Sequence, residues 1–446
     1  MADTDVSAAG PAQEAQAPER DEPEPRSLRS VLRSVREALR SAEIDSRLAG
    51  MLVALAIIWA VFQIITPHHT FLTPRNLWNL SVQSSVVAIM ATGMVLIIVT
   101  RNIDLSVGAA MAAVGMAMAV VQHDWLPKWI GFDHPMTWVI VVVLGLALGA
   151  AIGGFQGALV AYVGVPSFIV TLGGFLVWRG LAWWMASGQT IAPMDSNFRL
   201  LGGGSEGTVG GTWSWIIGVV ACAGIVLLQL TKRRQRVRYG FRLRPMWAEI
   251  TLGAVACGGV LAAVWFLNRY YLPSALVEKR GAPPGTNISL GLAYPVLIAI
   301  GVGILMQFIA TRRRFGRYVY GIGGNPEAAE LAGIKTKRTI VKTFALMGLL
   351  VGLAGAVQIA RLNAAVSSLG TGMELNVIAA AVIGGTSFTG GVGTIAGALL
   401  GAVVMQSLVS GMVLMGIEAP LQDIVVGIVL VSAVTLDTLV RRRSVK

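Results

Sequence analysis

From residue 49 almost to residue 440, the sequence repeats apolar stretches of helix-spanning length separated by short polar segments. A hydrocarbon core about 30 Å thick takes roughly 20 apolar residues per helix, and inside it every backbone N–H and C=O must be paired within the protein. A chain of this pattern folds as an all-α polytopic membrane protein. Only 13% of its residues are charged and 55% are hydrophobic, which excludes a set of water-soluble domains.

Apolar runs place spans near 49–65, 80–100, 105–121, 136–162, 167–186, 213–230, 247–267, 290–310, 343–360, 375–388, 392–415 and 421–440, about twelve transmembrane helices in all. The 375–388 run is too short for an upright crossing, and Gly384, Gly385, Gly390, Gly391 and Gly393 surround its end, so a broken or short helix is expected near 375–392. Lys and Arg cluster in alternate connections, at Lys232–Arg244, Arg312–Arg317, Lys335–Arg338 and Arg441–Arg443. Basic residues favour the cytoplasmic side of short loops, so both termini are expected there. The net charge of +12 then belongs to the membrane surface rather than to a nucleic-acid partner.

Residues 1–27 are polar, with Pro11, Pro18, Pro23 and Pro25, and read as a disordered cytoplasmic tail without a cleavable signal. Across 28–48, Leu28, Val31, Leu32, Val35 and Leu39 alternate with Arg29, Arg33, Arg36 and Arg40, which suits an interfacial amphipathic helix or a solvated connector. Residues 441–446 form a second tail. Cys222 and Cys257 fall inside spans as small apolar fillers, and the four His residues have no metal-ligand spacing, so no metal and no cofactor are expected.

Gly145, Gly149, Gly153 and Gly157, and likewise Gly393, Gly397 and Gly401, recur every four residues and form stripes for close helix contact. The polar turn from Thr100 to Gly108 carries Asn102, Asp104, Ser106 and Gly108, where Asn102 or Asp104 can cap the following helix. In Gly323–Gly333, Asn325 suits an N-cap, Pro326 the first turn, Glu327 the positive helix end and Gly333 the stop, giving a short capped helix outside the membrane. The glycine-rich 384–393 stretch lacks the Gly-Lys-Ser/Thr ending of a phosphate loop, and no catalytic triad is present. The chain therefore reads as a non-enzyme.

Glu327-Ala328-Ala329 followed by Gly333 resembles the Glu-Ala-Ala-x-x-x-Gly loop of ATP-binding-cassette importer permeases. Asn102-Ile103-Asp104-Leu105-Ser106-Val107-Gly108, Pro166-Ser167-Phe168-Ile169-Val170-Thr171-Leu172-Gly173 and Ile383-Gly384-Gly385-Thr386-Ser387-Phe388-Thr389-Gly390-Gly391 accompany it. In this order the four resemble the ribose and xylose branch of that family. The resemblance covers residues 50–440, with an extra two-helix insertion at 205–289 that looks more like the xylose permeases. It implies that the 325–333 helix couples to a separate cytoplasmic ATPase subunit. It further implies an extracytoplasmic sugar-binding protein, a second permease copy, and translocation of a monosaccharide, D-xylose on resemblance alone, across a bacterial inner membrane.

A neutral sugar needs hydroxyl partners and flat faces, and candidate pathway groups are Gln83, Ser84, Phe168, Asn376, Thr386, Ser387 and Phe388. The alternatives are ribose or another sugar, branched-chain amino acids, or an ion-coupled secondary transporter. Acidic relays within the membrane mark the last of these, whereas Asp104, Glu374, Asp423 and Asp437 fall at or near expected span ends. A zwitterionic substrate calls for central charge, and Arg179 alone is so placed, with snorkelling or pairing at a helix end as its plainer role.

Overall fold

The computed structural model describes residues 46–444 except Arg242, Arg244, Arg280, Ala282 and Pro284, with side chains from 48 to 435. The expected tail at 1–27, most of the expected amphipathic helix at 28–48, the Arg441–Arg443 side chains and the Asp437 side chain lie outside the described residues. Among the described residues ten helices are long and apolar enough to cross a membrane, and two shorter apolar ones, Met373–Ile383 and Ala419–Thr435, complete the expected twelve. Among the described residues there are isolated β-bridges but no strand.

In chain order the helices are α1 (Ser46–Ile65), α2 (Pro74–Val99), α3 (Val107–Val120), α4 (Thr137–Ala158), α5 (Ser167–Met185), α6 (Gly210–Arg238) and α7 (Met246–Asn268). There follow α8 (Tyr294–Arg312), α9 (Arg314–Gly324), α10 (Pro326–Leu331), α11 (Thr336–Leu362), α12 (Met373–Ile383), α13 (Ile395–Leu414) and α14 (Ala419–Ser444). The last runs on as helix into the segment expected as a tail. α2 starts on Pro74 after a Thr73 cap that accepts from Asn76 N–H, and it is the centre of the bundle, buried along nearly its whole length. The α6–α7 hairpin, which occupies the segment expected as an insertion at 205–289, packs on itself and touches α2 through α7. Its apolar faces stay open, as lipid-facing helices do.

The glycine stripes are packing surfaces. A Cβ added at Gly149 or Gly153 of α4 would fall within 3.0 Å of the backbone oxygens of Gly348 or Phe344 on α11, and one at Gly348 or Gly352 would meet Gly149 or Gly145 in return. On α13, Gly397 and Gly401 face the backbone oxygens of Gly384 and Ala380 at the end of α12. Hydrophobicity cannot drive association in lipid, so contact this close, with its dispersion gain, is what holds the helices together.

Two crossings are broken, although only one is expected from the sequence. After α2 the chain runs without helix through residues 102–106, and α3 begins deep in the bundle. Met111 meets Gly355 and Gly115 meets Ile359, which sets the start of α3 about 22 Å along α11 at 1.5 Å per residue. In the second break the chain leaves α11 at Asn363, descends without helix to Gly372, and enters α12 at the same depth. There the site of a Gly108 Cβ is filled by Gly370 O and the Glu374 carboxylate. Arg179, at mid-length of α5, donates to the Ser367 and Leu369 carbonyls at 3.0 and 2.8 Å and fastens the descending segment. It neither snorkels nor pairs at a helix end, because the unwound carbonyls offer it partners in the interior. The same breaks place Asp104 and Glu374 inside the bundle, which corrects the expectation that their helix ends lie at the membrane edge. A helix end marks the bilayer surface only if the helix spans it.

The two breaks are counterparts. Asp104-Leu105-Ser106-Val107-x-Ala109-Ala110 enters α3 and Glu374-Leu375-Asn376-Val377-x-Ala379-Ala380 enters α12, while Pro166, just before α5, and Gly173 within it have the same spacing as Pro420 and Gly427 in α14. Packing follows suit: α2 lies on α13 as α11 lies on α4, α3 on α5 as α12 on α14, and α3 on α11 as α12 on α2. Helices α2–α5 run opposite to α11–α14, so the bundle is an inverted repeat around two helices, α3 and α12, whose N-termini meet inside it.

Candidate coupling site at the basic end

Helix α10 is six residues long and owes its shape to its ends. Asn325 is extended (φ −150°, ψ 105°) and its side-chain oxygen accepts from Ala328 N–H at 3.0 Å, with Pro326 in the first turn. Gly333 takes φ +81°, Ile334 N–H bonds Ala329 O at 3.0 Å and Gly333 N–H bonds Glu330 O at 2.9 Å. These two bonds form a Schellman closure, whose left-handed residue is least strained as glycine. Ala329 alone is buried against the protein; Glu327 and Ala328 are exposed, and Leu331 is 90% exposed at the tip. An apolar side chain so presented on a rigid turn is shaped for contact with another surface.

Behind α10 the four sequence motifs meet. Arg101, held at φ +63°, donates from Nε to Gly323 O at 2.9 Å and from Nη2 to Gly324 O at 2.8 Å, so the turn after α2 grips the last carbonyls of α9, immediately before the Asn325 cap. Gly391 N–H donates to Val99 O at 3.0 Å, bringing in the glycine-rich segment. A Cβ at Gly323 would strike Val99 O and Gly391 N. Tyr320 of α9 donates its hydroxyl to Gly393 O at 2.8 Å, and burial pushes its phenol pKa up. The fourth motif joins through Ser167, whose Oγ accepts from Ile103 N–H, and Thr171, whose hydroxyl donates to Ser167 O at 2.9 Å and reaches Ile103 O at 3.3 Å.

Asn102 is not a cap for the following helix. Its amide donates to Thr100 O and Oγ1 at 3.0 and 3.1 Å and closes α2 instead, because the non-helical residues 102–106 carry the start of α3 out of its reach. Asp104 accepts from Ser106 N–H at 2.9 Å and from the Ser106 hydroxyl, and Ser106 in turn bonds Gln156 at the end of α4. Gly108 gives room for the approach of Gly370.

The proposed pathway groups do not gather at one place. Gln83 accepts from Gln406 Nε2 at 2.8 Å between α2 and α13, and Ser84 lies beside it. Asn376 stands at the entry to α12. Phe168 is exposed at the start of α5, while Thr386, Ser387 and Phe388 belong to the segment at the basic end. Three of the seven, Ser84, Asn376 and Thr386, bury an oxygen without a hydrogen-bond partner among the described residues. Ser387 is bonded to Thr389, oxygen to oxygen, at 2.8 Å. No group of three or more His, Cys, Asp or Glu residues fit to hold a metal occurs among the described residues. Arg101, Tyr320 and Leu331 were not singled out from sequence. Arg101 sits 222 residues from its partner, and only the amphipathic contrast of Leu331 with its charged neighbours gives a local hint.

Residues 76–434 match the family described as branched-chain amino acid transport system / permease component. The xylose transport system permease protein XylH of Haemophilus influenzae is 37% identical over 388 residues, covering 87% of this chain and 95% of that protein. XylH of Escherichia coli K12 is 38% identical over 394 residues, 88% and 92% of the two chains. The ribose import permease protein RbsC of the same strain is 32% identical over 386 residues, 86% and 92%. No solved structure matches the chain.

Proposed function

Because this chain belongs to the branched-chain amino acid transport system / permease component family, we propose that it is the membrane permease of an ATP-binding-cassette sugar importer, with D-xylose as substrate. Relatives named as xylose permeases are aligned over 92–95% of their own length and are 37–38% identical, against 32% for the ribose permease. The observation that carries the reading is the α10 turn, capped at both ends, offering Glu327 and Leu331 outward, and clamped through Arg101 to the broken crossing of the first repeat.

In this reading the basic end faces the cytoplasm, with both termini there, in a bacterial inner membrane. A separate ATPase subunit grips residues 325–333, so hydrolysis is not performed by this chain. An extracytoplasmic sugar-binding protein delivers the monosaccharide, and two copies of the permease enclose the path. When the ATPase subunits close, displacement of α10 is carried by α9 and Arg101 into the 100–106 segment and by Gly391 and Tyr320 into the 384–393 segment. Helices α3 and α12 then shift together, since each is reached by one of those segments. Ser84, Asn376 and Thr386, with oxygens unpaired among the described residues, are the groups of the expected set best fitted to meet sugar hydroxyls.

The test is reconstitution with the ATPase and binding protein, measuring xylose-stimulated ATP hydrolysis. Glu327→Lys should abolish stimulation while leaving insertion intact. Stimulation at the wild-type level would remove α10 from the coupling role, and ion-gradient uptake by the permease alone would remove the importer reading.

A further inference from the structure

At the basic end, on the flank where α8 turns into α9 and passes α11, lies an open cleft of about 830 Å³. Five cations line it: Arg312, Arg313, Arg314, Arg317 and Lys342. All five are exposed, and no carboxylate lies within ion-pair distance of any of them among the described residues. Arg312 complements the negative end of α8, and Arg313 stacks on Phe308 with 4.9 Å between guanidinium carbon and ring centre. Arg314, Arg317 and Lys342 make no ion pair among the described residues.

Three further features bear on the ligand. The first-turn N–H groups of α9, an 11-residue helix, open beside Arg313, which is extended at φ −92° and ψ 153°. They add an anion-favouring helix end to the cations. The floor is apolar, made by Ile309, Phe315 and Leu346. Above it, Ile300, Ile304 and Phe308 recur every four residues on one exposed face of α8, with Leu305 alongside. The cleft sits at the depth of Lys342, which neighbours Val341 and Phe344 where they meet Gly157 at the end of α4. That is about 9 Å along α11 from its start at the basic end, and the α8 strip continues from there toward the other end of the bundle.

We infer that this cleft binds an anionic phospholipid, its phosphate held by Arg313, Arg314, Arg317 and Lys342 and its acyl chains lying along Ile304 and Phe308 of α8. Phosphate charge and an adjoining apolar strip together select an amphiphile over a free anion, and a zwitterionic headgroup leaves the cation excess uncompensated. The inference rests on the chain spanning a bilayer and not on its role as an importer.

The test uses the full chain in nanodiscs of equimolar phosphatidylcholine and phosphatidylglycerol, released into native mass spectrometry to count retained lipids. Wild type should keep phosphatidylglycerol in preference. R313Q/R314Q/R317Q/K342Q should lose that preference, with each neutralised charge lowering it about five-fold. A charge-conserving R313K/R314K/R317K variant should retain most of it, which guards against loss through misfolding. Ile304→Asp should weaken retention with the cations intact. Equal retention by wild type and the four-site variant overturns the inference, as does release of the lipid by millimolar inorganic phosphate, which would mark a free-anion site. Absence of retained lipid in the wild type, with the cleft cations shielded instead by a second copy, overturns it too.

Discussion

Arg101 is the point at which the coupling reading is most exposed to experiment. Its guanidinium makes two hydrogen bonds to the terminal carbonyls of α9, at 2.9 and 2.8 Å, the first half-buried and the second exposed. A hydrogen bond to a charged group contributes about 1.5–3 kcal/mol, and exposure of the second reduces its share toward the low values of surface pairs. Arg101→Ala should therefore free the α9–α10 junction by about 1.5–3 kcal/mol, a tenfold to hundredfold rise in its local opening. Hydrogen–deuterium exchange of peptides covering residues 320–334 reads that opening directly, and xylose-stimulated ATPase activity should fall with it while the purified chain keeps its thermal transition. Arg101→Lys, with a point charge in place of the fork, should land between. If exchange at 320–334 rises as expected and stimulation is untouched, Arg101 is a clamp without a coupling role. If exchange does not change, the bonds contribute nothing and the reasoning from their geometry fails.

Asn325→Ala removes the α10 cap and should cost about 1 kcal/mol of local stability, seen as faster exchange at Ala328, with Asn325→Asp close to wild type. Gly348→Ala puts a Cβ against Gly149 O and should destabilise by about 1–3 kcal/mol through overpacking, read as a lower melting temperature in detergent. At the opposite end, Asp133 accepts from the Ser196 hydroxyl and N–H at 2.6 and 2.7 Å, and these bonds hold its carboxyl pKa below the ordinary value. A depressed folded-state pKa contributes stability above the unfolded value that is lost as pH falls through the folded one. The melting-temperature gap between wild type and Asp133→Asn should thus be full near neutral pH, shrink below about pH 4, and close in stronger acid. A gap that widens in acid would contradict the assignment.

The capped α10 turn is legible in sequence because each end is fixed by residues three to five positions apart: Asn325 with Ala328, Gly333 with Glu330 and Ile334 with Ala329. The glycine stripes are legible for the same reason, as helical period and residue size are local properties. Asn102 shows the limit. Capping the next helix is open to it only if the helix starts nearby, and the start of α3 is set by packing against α11.

By itself the sequence determined the number of apolar segments, the segregation of basic charge to alternate connections, and the residues able to start and stop α10. Only the tertiary structure decided that Asp104 and Glu374 lie in the interior at two opposed breaks, that Arg101 holds carbonyls 222 and 223 residues away, and that the four motifs share one end of the bundle. Apolarity specifies that a helix belongs in the membrane but not how deep it begins. Depth follows from which helices can approach closely enough to pair, and that is settled between segments hundreds of residues apart.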